Sequence, residues 1–456
     1  MIIIETNEIP LEVFEWYANN SRGMIADTIR KFGITETILD DVKEEYLYPS
    51  QAWASISTGL NAESHKIRWY NDAKSSNNFY WRDLAKENKK IALMNVLHSG
   101  SITKDEENLY DFIFPDFFSL TPEVKIKKYK NFQTFNHKMS ISSGRKTSKK
   151  TIIFNAIKSF LKFPSFGGWG ISVRDFAKWK KIFLSVGKDS EILRNAQFIL
   201  QQRIFLDIVK RRLGTDLSVF FTNHVASCLH RNFHNLNKNY KGDIDKKEKI
   251  HQSMKILDEF IAELRDIDNK RDIILLSAMG QKLNQKVDEK YKLENSKDYK
   301  LINHNKFLKF FGIDTKSVEI LYEMIPQYTF KFSEKSELND FIKKIESIGS
   351  DPSAMRFGYY VPRGRKIKNT KGFFCHLDIK NNQITCTMTV RPDNNGKILL
   401  NNVKYHFEEI GFQSLNVSDF HNGEHSKYGC MISLNENLGK KEKHFTEIKK
   451  YILSKV

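Results

Sequence analysis

The feature that most constrains this chain is the helix-to-strand succession between residues 247 and 281. Ile250, Met254, Leu257, Ile261 and Leu264 recur at spacings of four and three, which places them on one face of a helix. The run "RDIILLSAMGQ" follows directly, apolar at consecutive positions and closed by a Gly turn, the pattern of a strand buried on both faces. Such a strand needs helices over both faces, and a helix feeding it packs back as a crossover between parallel strands. "KKIALMNVL" (89–97) and "LSVFFTNH" (217–224) have the same character. "MIIIET" opens the chain as another short apolar strand, with Pro10 placed for the first turn of a helix over "LEVFEWYANNS". Helices are also expected at 173–184, at 189–212 and over the closing "KHFTEIKKYIL". The resulting expectation is an α/β class: a mostly parallel sheet flanked by helices, with ligands at the carboxyl ends of the strands.

The 456 residues, 40% hydrophobic, are enough for a large core. Beyond about residue 300 the pattern shifts to short mixed elements with turn chemistry, "PRGRKIKNTKG" and "RPDNNGK". The expected organisation is an α/β core over 1–300 with a basic helical insertion at about 100–215. An inserted α+β subdomain follows over 301–390, and 391–456 returns to the core with the His-bearing "DFHNGEHSKYGCMISLN". Cys228, Cys375, Cys386 and Cys430 are scattered, without the paired spacing of a zinc site or a disulfide framework. No window has the roughly 18 uninterrupted apolar residues of a spanning helix, and no basic segment with an apolar signal core opens the chain. A soluble, cytoplasmic protein is expected.

The formal charge of +18 favours anionic partners. Part of it is concentrated: residues 124–162 hold eleven Lys or Arg and no Asp or Glu. This stretch reads first as a solvated insertion, with a membrane surface or nucleic acid as the weaker alternative. Two other places attract chemistry. Glu5 is a carboxylate inside a strand expected to be buried, and strand alternation puts Asn7 on its face, with Glu8 flanking. Ser50 opens the helical segment "SQAWASIST", where a hydroxyl serves as a helix cap, a phosphate contact or a nucleophile.

Several stretches, taken in order, resemble the alkaline phosphatase superfamily, in particular a divergent branch near the type I phosphodiesterases and nucleotide pyrophosphatases. "STGLNAESHKI" resembles the segment after that family's nucleophile, and "MIIIETNEIP" stands where a strand ends in a metal-binding Asp-Gly. "VFFTNHVASCLHRNF" is similar to the strand and loop that carry an Asp and a His ligand. The helix and strand ending in "SAMG" mirror those that end in Ser-Asp-His-Gly, and "GEHSKYGCMI" resembles the segment of the last His ligand. The resemblance implies an alkaline phosphatase-like core and, in a complete site, two divalent metals that hold a Ser or Thr alkoxide in line with phosphorus.

The residues depart from that pattern. Pro49 falls at the nucleophile's place and Ser50 one residue later, while Asn7 replaces the ligand Asp. Ala278 and Met279 stand at the Asp and His of the third motif; neither is a hard-metal ligand. Ala226 stands where an Asp is expected before His230, with Asn223 and His224 as the nearby substitutes, whereas His230 and His425 match. The resemblance therefore implies at most one divalent ion, zinc or manganese, on Glu5, Asn7, His230 and His425. It implies Ser50 as the catalytic hydroxyl and Gln51, Asn223 and His224 as substrate contacts. The implied function is a phosphoesterase or phosphodiesterase-like hydrolase with a degenerate metal site, acting on an anionic phosphorylated small molecule or a glycan-linked ester. The alternative is a catalytically inactive relative that binds a phosphorylated ligand. Either requires distant pieces of chain to meet beside the start of the Ser50 helix.

Overall fold

A computed structural model describes residues 1–41, 47–70, 72–116, 118–119, 124, 129–141, 190–212, 214–236, 244–283, 298–321, 327–346, 374–379, 385–390, 397–400, 403–415, 423–439 and 441–456. The helix expected at 173–184, the turn segments at 362–372 and 391–396 and most of the basic stretch 124–162 lie outside these residues. The chain forms two compact units, one of residues 1–137, 149–284 and 421–456, the other of 138–148 and 285–420.

The first unit is built on β1 (Ile2–Thr6), β2 (Thr35–Ile38), β3 (Ile91–Met94), β4 (Phe112–Phe114), β5 (Leu217–Thr222), β6 (Ile273–Ser277), β9 (Tyr428–Ser433) and β10 (Glu442–His444). They form one eight-stranded sheet in the order β10-β2-β9-β6-β1-β5-β3-β4. From β6 to β4 all neighbours run parallel, as the doubly buried runs require. β9 enters antiparallel between β6 and β2. Gly429 permits this close approach, because a Cβ there would stand 2.1 Å from the Ser277 carbonyl oxygen. β7 (Gly280–Leu283) and β8 (Gly423–Ser426) make a separate antiparallel pair beside it.

Helices α1 (Leu11–Asn20), α2 (Pro49–Thr58), α3 (Ser190–Arg211), α4 (His224–Asn232), α5 (Ile244–Ile267) and α6 (Phe445–Lys455) accompany this sheet. The five apolar residues that marked α5 in the sequence are all fully buried. Phe260 of α5 meets Phe198 of α3 and Phe220 of β5 edge-on, with ring centroids 5.8 and 5.5 Å apart. At roughly 2 kcal/mol for each large apolar side chain removed from water, this face rather than helix propensity holds α5 in place. Among the described residues no helix is long and apolar enough to cross a membrane.

The second unit is α+β. Its four-stranded antiparallel sheet runs Phe374–Ile379, Thr385–Val390, Gln327–Phe332, Val318–Leu321. Phe307, Phe330, Phe341 and Phe412 belong to its own apolar core. The chain leaves the first unit after Asn284 and re-enters it at His421.

Candidate metal centre

At the carboxyl edge of the sheet β1 and β6 are tied together. The hydroxyls of Thr6 and Ser277 lie 2.7 Å apart, and Ser277 Oγ donates to the Thr6 carbonyl at 2.7 Å. The strand stops there, and Glu8 two residues on adopts a left-handed backbone, φ 56°. A non-glycine residue persists in that conformation where its surroundings over-determine it, at a cost of about 1–3 kcal/mol. The turn buries the Glu8 side chain and carries its carboxylate to two imidazoles.

His230 Nε2 lies 2.7 Å from Glu8 Oε2, and His425 Nε2 lies 3.5 Å from the same oxygen. His230 is delivered by the last turn of α4 and His425 by β8. Their other nitrogens meet backbone carbonyls: His230 Nδ1 faces Gly423 O at 3.2 Å, and His425 Nδ1 faces Leu47 O at 2.7 Å. A carbonyl only accepts, so the hydrogen sits on Nδ1 in each ring. Nε2 is therefore the nitrogen that each ring turns toward Glu8, where a protonated ring would donate to the carboxylate and a neutral one would offer its lone pair to an ion. The three ligand atoms all lie within 4.8 Å of one another, with both His side chains partly open to solvent. One carboxylate and two imidazoles, each imidazole oriented by a carbonyl behind it, form a donor set that could hold a metal ion.

Two neutral amides complete the surroundings of the carboxylate. Asn7 Nδ2 donates to Glu8 Oε1 at 2.8 Å, and Gln281 Nε2 donates to Glu8 Oε2 at 2.7 Å. Burial alone pushes the Glu8 carboxyl upward; the positive imidazoles of His230 and His425, with the hydrogen bonds from His230 and Gln281, reverse this and hold it at about 2.

Among the residues expected from sequence, His230 and His425 are brought together. Asn7 lies against Glu8 with its side chain spent on hydrogen bonds: it donates to Asn223 Oδ1 at 2.9 Å and accepts from Trp53 Nε1 at 3.0 Å. Asn223 thereby reaches the same network from the start of α4. Glu5 does not join the cluster; it accepts from the Tyr80 hydroxyl at 2.9 Å, and burial raises its carboxyl to about 8. Strand alternation linked Glu5 to Asn7, but the strand ends at Thr6 and alternation ends with it. Ser50 lies in the first turn of α2, where its hydroxyl donates to Arg68 O at 2.5 Å and its carbonyl accepts from His98 Nε2 at 2.7 Å. Gln51 is buried in the same turn. His224 stacks on Phe198 with centroids 3.7 Å apart and is held by Thr222 Oγ1 and Ser253 O; burial lowers its ring to about 3, a neutral core histidine. Ala278, Met279 and Ala226 are buried core residues.

The start of α2 does meet an imidazole, since Leu47, just before it, holds His425, and Trp53 within it holds Asn7. Sequence reasoning did not choose Glu8 as a ligand, nor notice Gln281. The available signal for Glu8 was a carboxylate one residue beyond an Asn at the end of a buried strand. Gln281 had none beyond its place after the Gly turn.

Fold and site together define an α/β protein with a Glu-His-His cluster at the carboxyl edge of a mostly parallel sheet. No family model and no curated protein sequence matches the chain. Among solved structures it is similar to phosphonoacetate hydrolase from Sinorhizobium meliloti 1021 in complex with phosphonoformate, at 12% identity and TM-score 0.45, covering 99% of this chain and 94% of that one. It is also similar to an inactive form of murine ectonucleotide pyrophosphatase/phosphodiesterase 5 in complex with AMP, at 9% identity and TM-score 0.38, covering 100% and 94%. A third is wild-type alkaline phosphatase PafA, at 13% identity and TM-score 0.40, covering 100% and 95%. At such identities and TM-scores the likeness is one of chain course, and function has to be read from the residues.

Proposed function

We propose that the chain is a phosphoric ester hydrolase working with one divalent ion, zinc or manganese, held by Glu8, His230 and His425. The observation that carries this reading is the convergence of one ionised, buried carboxylate and two Nε2 atoms whose rings are fixed from behind by Gly423 O and Leu47 O. When bound, the ion supplies Lewis-acid charge to a phosphoryl oxygen. The chain's own residues do the rest. Glu8 and the two imidazoles would hold the ion, and with it the ester, beside Leu47 at the start of α2. The basic surface draws in phosphorylated small molecules or glycan-linked esters. Because the Ser50 hydroxyl is committed to Arg68 O, the attacking oxygen comes from water.

The test is hydrolysis of phosphate mono- and diesters by the purified chain with zinc or manganese, and its loss with EDTA and in His425→Ala. Inertness of the wild-type chain with every divalent ion ends the reading. The burial of Ala278 and Met279, where the family resemblance places two further ligands, favours a second reading in which the same pocket binds a phosphorylated ligand without turnover. Saturable binding of such a ligand with no product formed selects it.

A further inference from the structure

Asn7 and Gln281 sit on opposite oxygens of one buried carboxylate, and neither is a metal ligand in the reading above. The orientation of each amide is settled by its other contacts. Gln281 Nε2 also donates to Ala226 O at 3.1 Å; a carbonyl accepts only, so the nitrogen must lie on that side and point at Glu8. Trp53 Nε1 only donates, so the atom of Asn7 that receives it is Oδ1, which turns Nδ2 toward Glu8 and Asn223. Each amide is therefore locked with a hydrogen aimed at the carboxylate. The far side of Gln281 is also shaped: Oε1 is buried without a hydrogen-bond partner, and across from it stands Gly423, where a Cβ would come within 2.5 Å of that oxygen. The hydrogen bonds of the Gln281 side chain thus lie at its nitrogen end, on Glu8 and Ala226 O.

We infer that Asn7 and Gln281 are positioning residues, a pair of neutral donors that clamp Glu8 by one oxygen each and so hold Oε2 toward the two imidazole nitrogens. The pair substitutes hydrogen-bonded geometry for charge. A second carboxylate at either place would repel Glu8, whereas an amide fixes it without altering the charge of the site. Trp53 and Asn223 support Asn7, and Ala226 O supports Gln281, so the clamp links β1, α2, α4 and β7.

This inference rests on the proposed ion site and is tested apart from activity, by titrating the purified chain with zinc or manganese chloride in a calorimeter. Gln281→Met keeps length and removes the donor. It is expected to weaken ion binding about tenfold or more, the scale on which outer partners of metal ligands act. The midpoint of thermal unfolding without ion should move much less than in an equally buried core substitution. If Gln281→Met fails to fold, Asn7→Ala removes the donor to the other oxygen and should give a loss of the same order. Affinity within about twofold of wild type in a folded variant, while Glu8→Gln abolishes binding, overturns the clamp and leaves the ion site standing. No ion binding by the wild-type chain overturns both.

Discussion

His230 Nε2 stands 2.7 Å from Glu8 Oε2 while His230 Nδ1 faces the Gly423 carbonyl, so one ring bridges a buried carboxylate and the backbone of a strand nearly two hundred residues away. That geometry makes Glu8 the centre of the site. Replacing it by Gln preserves size and removes charge. Glu8→Gln is expected to lower zinc or manganese affinity by more than about a hundredfold, beyond the range of outer-partner effects. Calorimetric titration checks this, and an unchanged affinity would remove Glu8 from the ligand set.

Glu8 and Glu5, three residues apart, should give stability opposite slopes with pH. The Glu8 carboxyl is depressed from 4.5 to about 2, so its contribution is fully present above about pH 4.5 and is lost as pH falls through 2. The Glu5 carboxyl is raised from 4.5 to about 8 by burial, offset only partly by Tyr80. The native state therefore holds a proton that the unfolded chain releases, and stability declines as pH rises from about 4.5 to 8. The neutral isostere Glu5→Gln should be more stable than wild type above pH 8, by up to roughly 5 kcal/mol, with the difference vanishing below pH 4.5. Denaturant unfolding of the ion-free chains at several pH values measures both; a Glu5→Gln difference that does not change with pH refutes the account of Glu5.

How far the sequence was legible follows from the range of each signal. The doubly buried runs around Ile2–Ile4, Leu217–Phe221 and Ile273–Leu276 are local patterns, and they form the central strands β1, β5 and β6. His230 and His425, which meet at one buried carboxylate, could be singled out because each sits in a motif with its own surroundings. Glu8 was hidden by a backbone event: once the chain leaves the strand at Thr6 and passes through a left-handed residue, period-two reasoning loses its phase. Gln281 acquires meaning only when β6, β7 and α4 are assembled, since both partners of its Nε2 are distant in sequence. Nothing local distinguished His224, a core ring stacked on Phe198, from a substrate contact.

His224 gives a clean separation of structure from site. Its ring loses the stack on Phe198 and its links to Thr222 and Ser253 when cut to Ala, in surroundings without solvent. The expected cost is about 3 kcal/mol of stability. Ion affinity of the folded fraction should be unchanged, because neither ring nitrogen faces Glu8. A thermal melt paired with calorimetry tests the claim; a weakened ion affinity with normal stability would return His224 to the site.

Ser50 is the remaining decision, between a hydroxyl that attacks phosphorus and one that fastens a helix to its neighbouring loop. The hydroxyl donates to Arg68 O at 2.5 Å and Pro49 before it has none, so the start of α2 presents no hydroxyl free of a backbone partner at these two positions. A covalent route would need the Arg68 bond to open before each turnover and a base to take the proton. Ser50→Ala is therefore expected to keep at least about a third of wild-type phosphoester turnover and to lower stability by about 1 kcal/mol, the worth of one side-chain hydrogen bond. Steady-state rates with zinc or manganese, together with a search by mass spectrometry for a phosphorylated chain after a substrate quench, decide the matter. A phosphate found on Ser50, with turnover abolished in Ser50→Ala, would replace attack by water with attack by the side chain while leaving Glu8, His230 and His425 in their assigned places.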